Sequence, residues 1–456
     1  MPSIPYGTGA YRRTNGNFPE LKLINLFVEQ AKTSENGVAL LSSPGLSVSS
    51  TVGTGPINGL FSKEGTFSGD VFAISGTALY RAGAAVASGT IAGTGPAKFA
   101  GGDLELVVTR GATARSYLSS GIADIAFPDS ASVRSVTYIG SLFVYVRDDS
   151  AKFYWSNVLD GRTIDPLNFA TAEREPDSLI DIAALGDNIW LFGQQTVEVW
   201  AHTGEADLPF SRLENVALDK GIVATGAVVK ADNSLFFVGS NRSVYRAADV
   251  PQRISDHSIE ERILASSSVR LLTYLHEGHE IVAVRLDTET LCYDCATQEW
   301  FERQSNGGQW NAAHACTVNG ATALFGHQTT GQLMGLSGHD DAGDEMELRF
   351  TAAMPLDRPL SIDRLRLWAN VGHTDLLTGQ GSDPVVEMRF SDDAGTTWSD
   401  WEPASLGVQG DYREVPEWRC LGQFDFPGIM LEFRVTDPVG LRISAVKIND
   451  PGGRRA

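Results

Sequence analysis

Seven times between residues 71 and 334 the chain repeats one pattern: an apolar strand, a polar turn, then a strand rich in Tyr, Trp or Leu. Val71-Phe72-Ala73-Ile74 with Leu79-Tyr80 is the first such pair and Leu324-Phe325 with Leu333-Met334 the last. The turns centre near Gly76, Gly111, Asp149, Gln194, Ser240, Thr288 and Thr329, at spacings of 35, 38, 45, 46, 48 and 41 residues. A β-sandwich has frequent turns but no reason for a longer super-period, whereas a propeller blade is a four-stranded sheet of about 40–45 residues. Within Ile189-Trp190-Leu191-Phe192 and Val197-Glu198-Val199-Trp200 apolar side chains fall on both faces, which a sheet with one wet face does not permit. The sequence therefore predicts an all-β fold built on a β-propeller of about seven blades. Six remain possible if the first or last hairpin belongs to a closure.

At 456 residues the chain exceeds one ordinary core, so more than one domain is expected. Composition shifts at Ser337-Gly338-His339-Asp340-Asp341-Ala342-Gly343-Asp344-Glu345, a polar, acidic linker. Beyond it, Arg364-Leu365-Arg366-Leu367-Trp368 and Val385-Val386-Glu387-Met388-Arg389-Phe390 alternate apolar with charged residues, as strands with one wet face do. The expected organisation is an extended N-terminal arm over 1–54, the propeller over 55–340 and a small β-sandwich over 346–450. In the arm, a polar stretch Arg12-Arg13-Thr14-Asn15-Gly16-Asn17 precedes one apolar run, Leu21 to Val28, too little for a core of its own. A short helix is expected over 258–268, as an insertion between blades.

The net charge of −20 opposes the phosphate contacts that dominate nucleic-acid affinity, although Arg454-Arg455 is a local basic pair. No sequence-specific nucleic-acid binding is expected. Met1 to Gly9 has neither a basic nor an apolar region of a secretory signal, and no run reaches the ~18 apolar residues of a spanning helix, so cytoplasmic synthesis without membrane insertion is expected. The four cysteines do not form a disulfide framework. Cys292 and Cys295 have CxxC spacing without a second pair, and Cys316 with His314 stands alone, so these read as small apolar strand residues, with no metal and no cofactor expected.

The stretch from Glu175 to Gly204 carries the most specific pattern: Pro176-Asp177, an apolar strand, Asp187-Asn188-Ile189-Trp190-Leu191-Phe192-Gly193, then Thr196-Val197-Glu198-Val199-Trp200 and Thr203-Gly204. With Asp219-Lys220-Gly221-Ile222, Asn25-Leu26-Phe27-Val28-Glu29 and Ser43-Pro44-Gly45-Leu46, it resembles the packaged-DNA stabilisation proteins of short-tailed bacteriophages. The resemblance implies a structural virion protein, assembled in the host cytoplasm, that forms a tail hub. It implies a ring, usually of six copies, docked below the portal-adaptor protein, helping to retain packaged DNA and carrying needle and tailspike or tail-fibre proteins. As family-like signature residues it singles out Pro176, Asp177, Asp187, Phe192, Gly193, Glu198, Trp200, Gly204, Lys220 and Gly221.

A rival reading is a carbohydrate-binding or glycoside-cleaving propeller. Ser391, Asp393, Gly395, Thr397 and Trp398 match the Asp box of sialidases, a turn in which Asp accepts from backbone amides and Gly supplies positive φ. The box occurs once here, outside the repeats, and is a structural device. The pairs Glu260-Glu261, Asp340-Asp341 and Asp392-Asp393 read as solvated turns, because adjacent strand residues point to opposite faces and cannot flank one sugar. His276-Glu277-Gly278-His279 has the wrong spacing for a helical zinc motif, and neither a G-x-S-x-G elbow nor a phosphate loop is present. No enzymatic activity is expected.

Overall fold

The computed structural model describes residues 3–12, 20–31, 37–87, 89–248 and 250–449. Arg13 to Asn17 and the Arg454-Arg455 pair lie outside the described residues. The chain divides into two compact units, one of residues 48–287 and 311–335, the other of 1–47, 288–310 and 336–456.

The larger unit is the propeller. Four-stranded antiparallel meanders span 57–85, 98–124, 133–171, 179–218 and 228–253. Their first strands, Ile57–Phe61, Lys98–Gly101, Val133–Ile139, Leu179–Leu185 and Val228–Ala231, form a ring with Arg270–His276 and Ala312–Val318. Each packs against the next and the last against the first, with the Phe61 and Phe99 rings stacked 5.6 Å apart between the first two. Seven blades result, one for each hairpin of the sequence repeat.

Burial between blades explains the missing alternation. Leu106–Arg110 and Ser234–Val238 are buried along their whole length, because a neighbouring blade covers each face. Leu142, Val144 and Phe153 of the third blade interlock with Leu179, Ile189 and Leu191 of the fourth in one such seam. The last blade is closed by a strand from the start of the chain. Leu46–Thr51 is its outermost strand, Ser49 Oγ donates to Leu333 O at 2.9 Å, and Val52 N donates to Gly331 O at 2.7 Å. A Cβ at Gly331 would stand 2.2 Å from Val52 O, so only glycine lets the two segments meet. The expected helix is His257–Ala265, started by Asp256, whose side chain accepts from Ile259 N. Glu260 on it bonds Ser255 and Arg253, and His276 pairs with His279 across a tight hairpin.

The smaller unit holds the sandwich, together with strands from 1–47 and 288–310. One sheet runs Glu417–Phe424, Leu360–Ala369, Arg442–Ile448, Val38–Ser42, Leu26–Gln30, with Ser3–Ile4 beside Arg442–Ile448. The other runs Thr290–Asp294, Trp300–Ser305, Leu23–Ile24, Leu348–Pro355, Gly428–Val435, Val385–Ser391, Glu402–Ser405. The described part of 1–47 is therefore no outer arm: Leu23, Leu26 and Phe27 are buried in these sheets. A short apolar run can avoid water by completing sheets whose other strands lie hundreds of residues away. Residues 288–310, which carry the outer strands Thr290–Asp294 and Trp300–Ser305 of the sixth repeat, group with this unit as well.

Polar groups join its three pieces. Asn25, wholly buried at φ 54°, donates from Nδ2 to Gln304 O (3.0 Å) and Glu347 O (2.8 Å) and accepts from Gln304 N at 3.0 Å. Asn tolerates the left-handed region, and a buried amide must find such partners. Asp341 is a second correction: it is not solvated but fully buried, 3.6 Å from Arg303, and it accepts from Ser305 Oγ at 2.6 Å. Burial pushes its carboxyl pKa up, against the opposing pull of Arg303.

Candidate functional site

The signature residues of the fourth repeat form a corner between the fourth and fifth blades. Asp177 accepts from the backbone N–H groups of Gln194 (2.9 Å), Gln195 (2.8 Å) and Thr196 (2.8 Å), and from Thr196 Oγ1 at 3.2 Å. It thereby holds the turn that joins Asn188–Gly193 to Val197–His202. A Cβ on Gly193 would lie 2.2 Å from Asp177 Oδ2, and one on Gly221 2.2 Å from the carbonyl carbon of Gln194. These two glycines let carboxylate, turn and the next connection share one place. Ile222 N then donates to Gly193 O at 2.9 Å, and Ser240 N to Gly221 O at 2.8 Å, which carries the corner into the fifth blade.

The remaining signature residues divide between core and surface. Phe192 is buried with its ring 5.3 Å from Phe237. Glu198, also buried, accepts from Arg174 N at 2.9 Å and from Trp200 Nε1 at 3.1 Å, and Trp200 meets Phe153 edge to face at 5.2 Å. Asp187 and Gly204 sit in exposed turns. Pro176, Asp177 and Lys220 line a cleft of about 440 Å³ with Glu175, Asp219 and Asn241. It offers carboxylates, amides and one ammonium, and the Asp177 oxygens facing it are already occupied by the turn. That suits a shaped docking surface better than a reacting centre.

Asp181, in the same stretch, has the greater structural role although the motif does not mark it. Fully buried, it pairs with Lys98 Nζ at 3.0 Å, accepts from Gly226 N at 2.7 Å and receives the Ser135 hydroxyl. Four blades therefore meet on one carboxylate. An acidic residue inside an otherwise apolar first strand of a repeat is the sequence signal that points to such a role.

In the sandwich, Asp393 accepts from Thr397 N (2.8 Å) and Thr397 Oγ1 (2.7 Å), and Ser391 Oγ donates to it at 2.8 Å. These bonds pull its carboxyl pKa down to about 2, the Thr397 amide contributing most. Gly395 has φ 89°, its N–H donates to Ser391 Oγ at 2.8 Å, and Trp398 Nε1 donates back to Gly395 O at 3.1 Å. All five residues of the box meet in one turn, with the Asp oxygens consumed by it. Arg389 stands over both Trp398 (4.6 Å) and Trp401 (4.5 Å) and donates to Glu432 at 2.8 Å. Glu432 is fully buried, and its pKa is lowered: burial alone would raise it, but Lys22 at 3.0 Å, Arg389 and Arg349 outweigh burial. Among the described residues no three His, Cys, Asp or Glu side chains gather as metal ligands. No helix of the described residues is long and apolar enough to cross a membrane.

A seven-bladed propeller and a β-sandwich, with the carboxylates of both motifs spent on holding turns, make up the fold. The chain belongs to the bacteriophage P22 Gp10 family: residues 2–338 match its β-propeller and residues 347–450 its β-sandwich. Over 268 residues it is 24% identical to the tail hub protein gp10 of Salmonella phage P22, an alignment covering 53% of this chain and 54% of that relative. The match thus spans about half the length of the relative. Among solved structures, the computationally designed Ika8 protein is 11% identical at a TM-score of 0.41, covering 72% of this chain and all of that one (100%). The Cps50 (Swd1) β-propeller domain of Myceliophteria thermophila is 9% identical at a TM-score of 0.42, covering 64% of this chain and 100% of that one. Neither structural similarity bears on function.

Proposed function

We propose that this protein is a tail hub of a short-tailed bacteriophage virion, a structural component that acts without catalysis. The observation that supports this most is that both parts of the P22 Gp10 family match in order along the chain. The named relative is a tail hub, and the signature and Asp-box carboxylates are engaged in holding turns. In this reading the protein joins a ring, usually of six copies, below a portal-adaptor protein, helps to retain packaged DNA and carries needle and tailspike or tail-fibre proteins. The charge of −20 fits a channel wall that DNA slides past without adhering. Copies of such charge repel one another, so assembly on a preformed ring is favoured over a free oligomer.

The test adds purified protein to DNA-filled heads that carry portal and adaptor but no hub, and follows nuclease-accessible DNA over time. The protein should sediment with the heads and slow the loss of DNA. Failure to associate would remove the tail-hub reading.

A further inference from the structure

The seven innermost strands carry a charge balance opposite to that of the whole chain. The protein has 56 Asp and Glu against 36 Lys and Arg. Yet those strands hold Lys98, Arg134, Lys230 and Arg270 with a single acid, Asp181. Asp181 is taken by Lys98, and Arg134 is taken by Asp148. Among the described residues Arg270 has no carboxylate partner, and its side chain instead meets His314, Nη1 to Nε2 at 3.2 Å. A half-buried cation without a counter-charge is costly, and in a chain so rich in acids its persistence needs a cause.

Arg270, His314 and Lys98 open onto one cavity of about 240 Å³ on the propeller axis, walled by Phe61, Phe99 and Val229. His314 is held well below its ordinary pKa by burial and by the charges of Arg270, Arg285 and Arg110, so it stays neutral and accepts from the guanidinium. That bond orients Arg270 and leaves other donors of its planar fork available. At the side of the axis, Lys63 is also held below its usual pKa, first by burial and then by the charge of Lys230. Excess positive charge therefore extends beyond one residue, in a space too small for a duplex.

We propose that the axial cavity binds a small tetrahedral oxyanion of the phosphate or sulfate class, clasped by the uncompensated Arg270 guanidinium, with the Lys98 ammonium, itself paired to Asp181, as a further donor at its rim. His314 is a positioning residue that fixes the fork. Charge-assisted, forked hydrogen bonds to such an ion supply the missing counter-charge and lock three blades together at their inner edge.

The test is calorimetric titration of the full chain with inorganic phosphate at constant ionic strength, with chloride as reference, alongside melting curves. Phosphate should bind near one ion per chain and raise the melting temperature above that in chloride. Arg270→Gln should weaken binding roughly tenfold or more, the size expected for a charged hydrogen bond, and abolish the phosphate-dependent shift. Without phosphate this variant should melt no lower than the wild type, since it removes an unbalanced charge. If Arg270→Gln does not fold, Arg270→Lys decides: weakened binding supports the site and unchanged affinity overturns it. Absence of binding to the wild type, or an equal shift in Arg270→Gln, also overturns it. So does binding of a single-stranded oligodeoxynucleotide where inorganic phosphate fails.

Discussion

The propeller and the sandwich are both antiparallel β structure, yet they are held together by different physics. In the propeller each repeat packs against the next along the chain, and the bulk of each seam is apolar, as where Leu142, Val144 and Phe153 meet Leu179, Ile189 and Leu191, with Asp181 as a polar node at the inner edge. The sandwich joins three distant pieces, 1–47, 288–310 and 336–456, and places polar groups where they meet. Asn25 bonds Gln304 and Glu347, Lys22 reaches Glu432, and Arg303 pairs with Asp341. Apolar contact is tolerant of which neighbour supplies it, whereas a buried amide or carboxylate is satisfied only by the right partner in the right register. Strands that must find each other across hundreds of residues use the more discriminating interaction.

The largest effect expected from this contrast is on a fragment. Residues 346–450 alone lack the strands Leu23–Ile24, Leu26–Gln30 and Val38–Ser42 that complete both sheets. This fragment should show no cooperative melting by circular dichroism, and a sharp two-state transition would break the comparison. Next in size is Phe153→Ala, which empties a seam position packed against Trp200 and Phe210. It should cost the propeller about 3–5 kcal/mol in chemical denaturation. Asn25→Ala should cost the sandwich about 3 kcal/mol, from unpaired carbonyls and an unfavourable φ. Hydrogen exchange should place each loss in its own unit, and a loss shared evenly by both would argue against separate cohesion.

A smaller effect concerns the corner. Asp177→Ala removes an acceptor shared by three backbone N–H groups at the edge of the structure, and about 1–3 kcal/mol should be lost from the propeller. A change within a few tenths would show that water replaces the carboxylate.

The smallest effect is a difference in acid response. His314 titrates below its ordinary 6.5 in the fold, so the unfolded chain binds its proton first and stability is lost as pH falls below 6.5. Its charged neighbours Arg270, Arg285 and Arg110 make that protonation harder still. Glu432 and Glu417 lie below their usual 4.5, so their contribution is intact above 4.5 and fades only as pH drops beneath it. Between pH 6.5 and 4.5 His314→Gln should therefore flatten the propeller's loss of stability in pH-dependent denaturation, while the sandwich keeps the loss due to His339, which burial likewise holds below its ordinary 6.5. An unchanged slope would show that another group governs it.

The same division separates what the sequence reveals from what it hides. The seven hairpins were legible because each blade's middle pair of strands is local in sequence and buried on both faces, which writes itself as apolar runs between turn residues. Gly193, Gly221 and Asp177 were legible as a motif, but their shared corner depends on a connection between blades that spacing alone does not display. The start of the chain misled for the opposite reason. Leu21 to Val28 looks like an isolated strand, since nothing nearby in sequence complements it, and its partners around Gln304, Glu347 and Arg442 are distant. Asp341 next to Asp340 likewise reads as a wet turn until Arg303 is brought beside it. Arg270 and His314 lie in neighbouring repeats, but Lys98 belongs to the second, far earlier in the chain, and only the closed ring gathers all three.

The closure of the last blade by Leu46–Thr51 also sets an order of events on the ribosome. That segment emerges before any blade exists and has no partner until Gln332–Leu336 has been made. The sandwich is later still, because Leu26–Gln30 and Val38–Ser42 await Arg442–Ile448, which lies far along the chain. Domains usually fold as they leave the ribosome, from the N-terminus onward. Here the early strands stay unpaired until Arg442–Ile448 has been made, so a chain cut short before that strand leaves sticky strands exposed and should be recognised as waste.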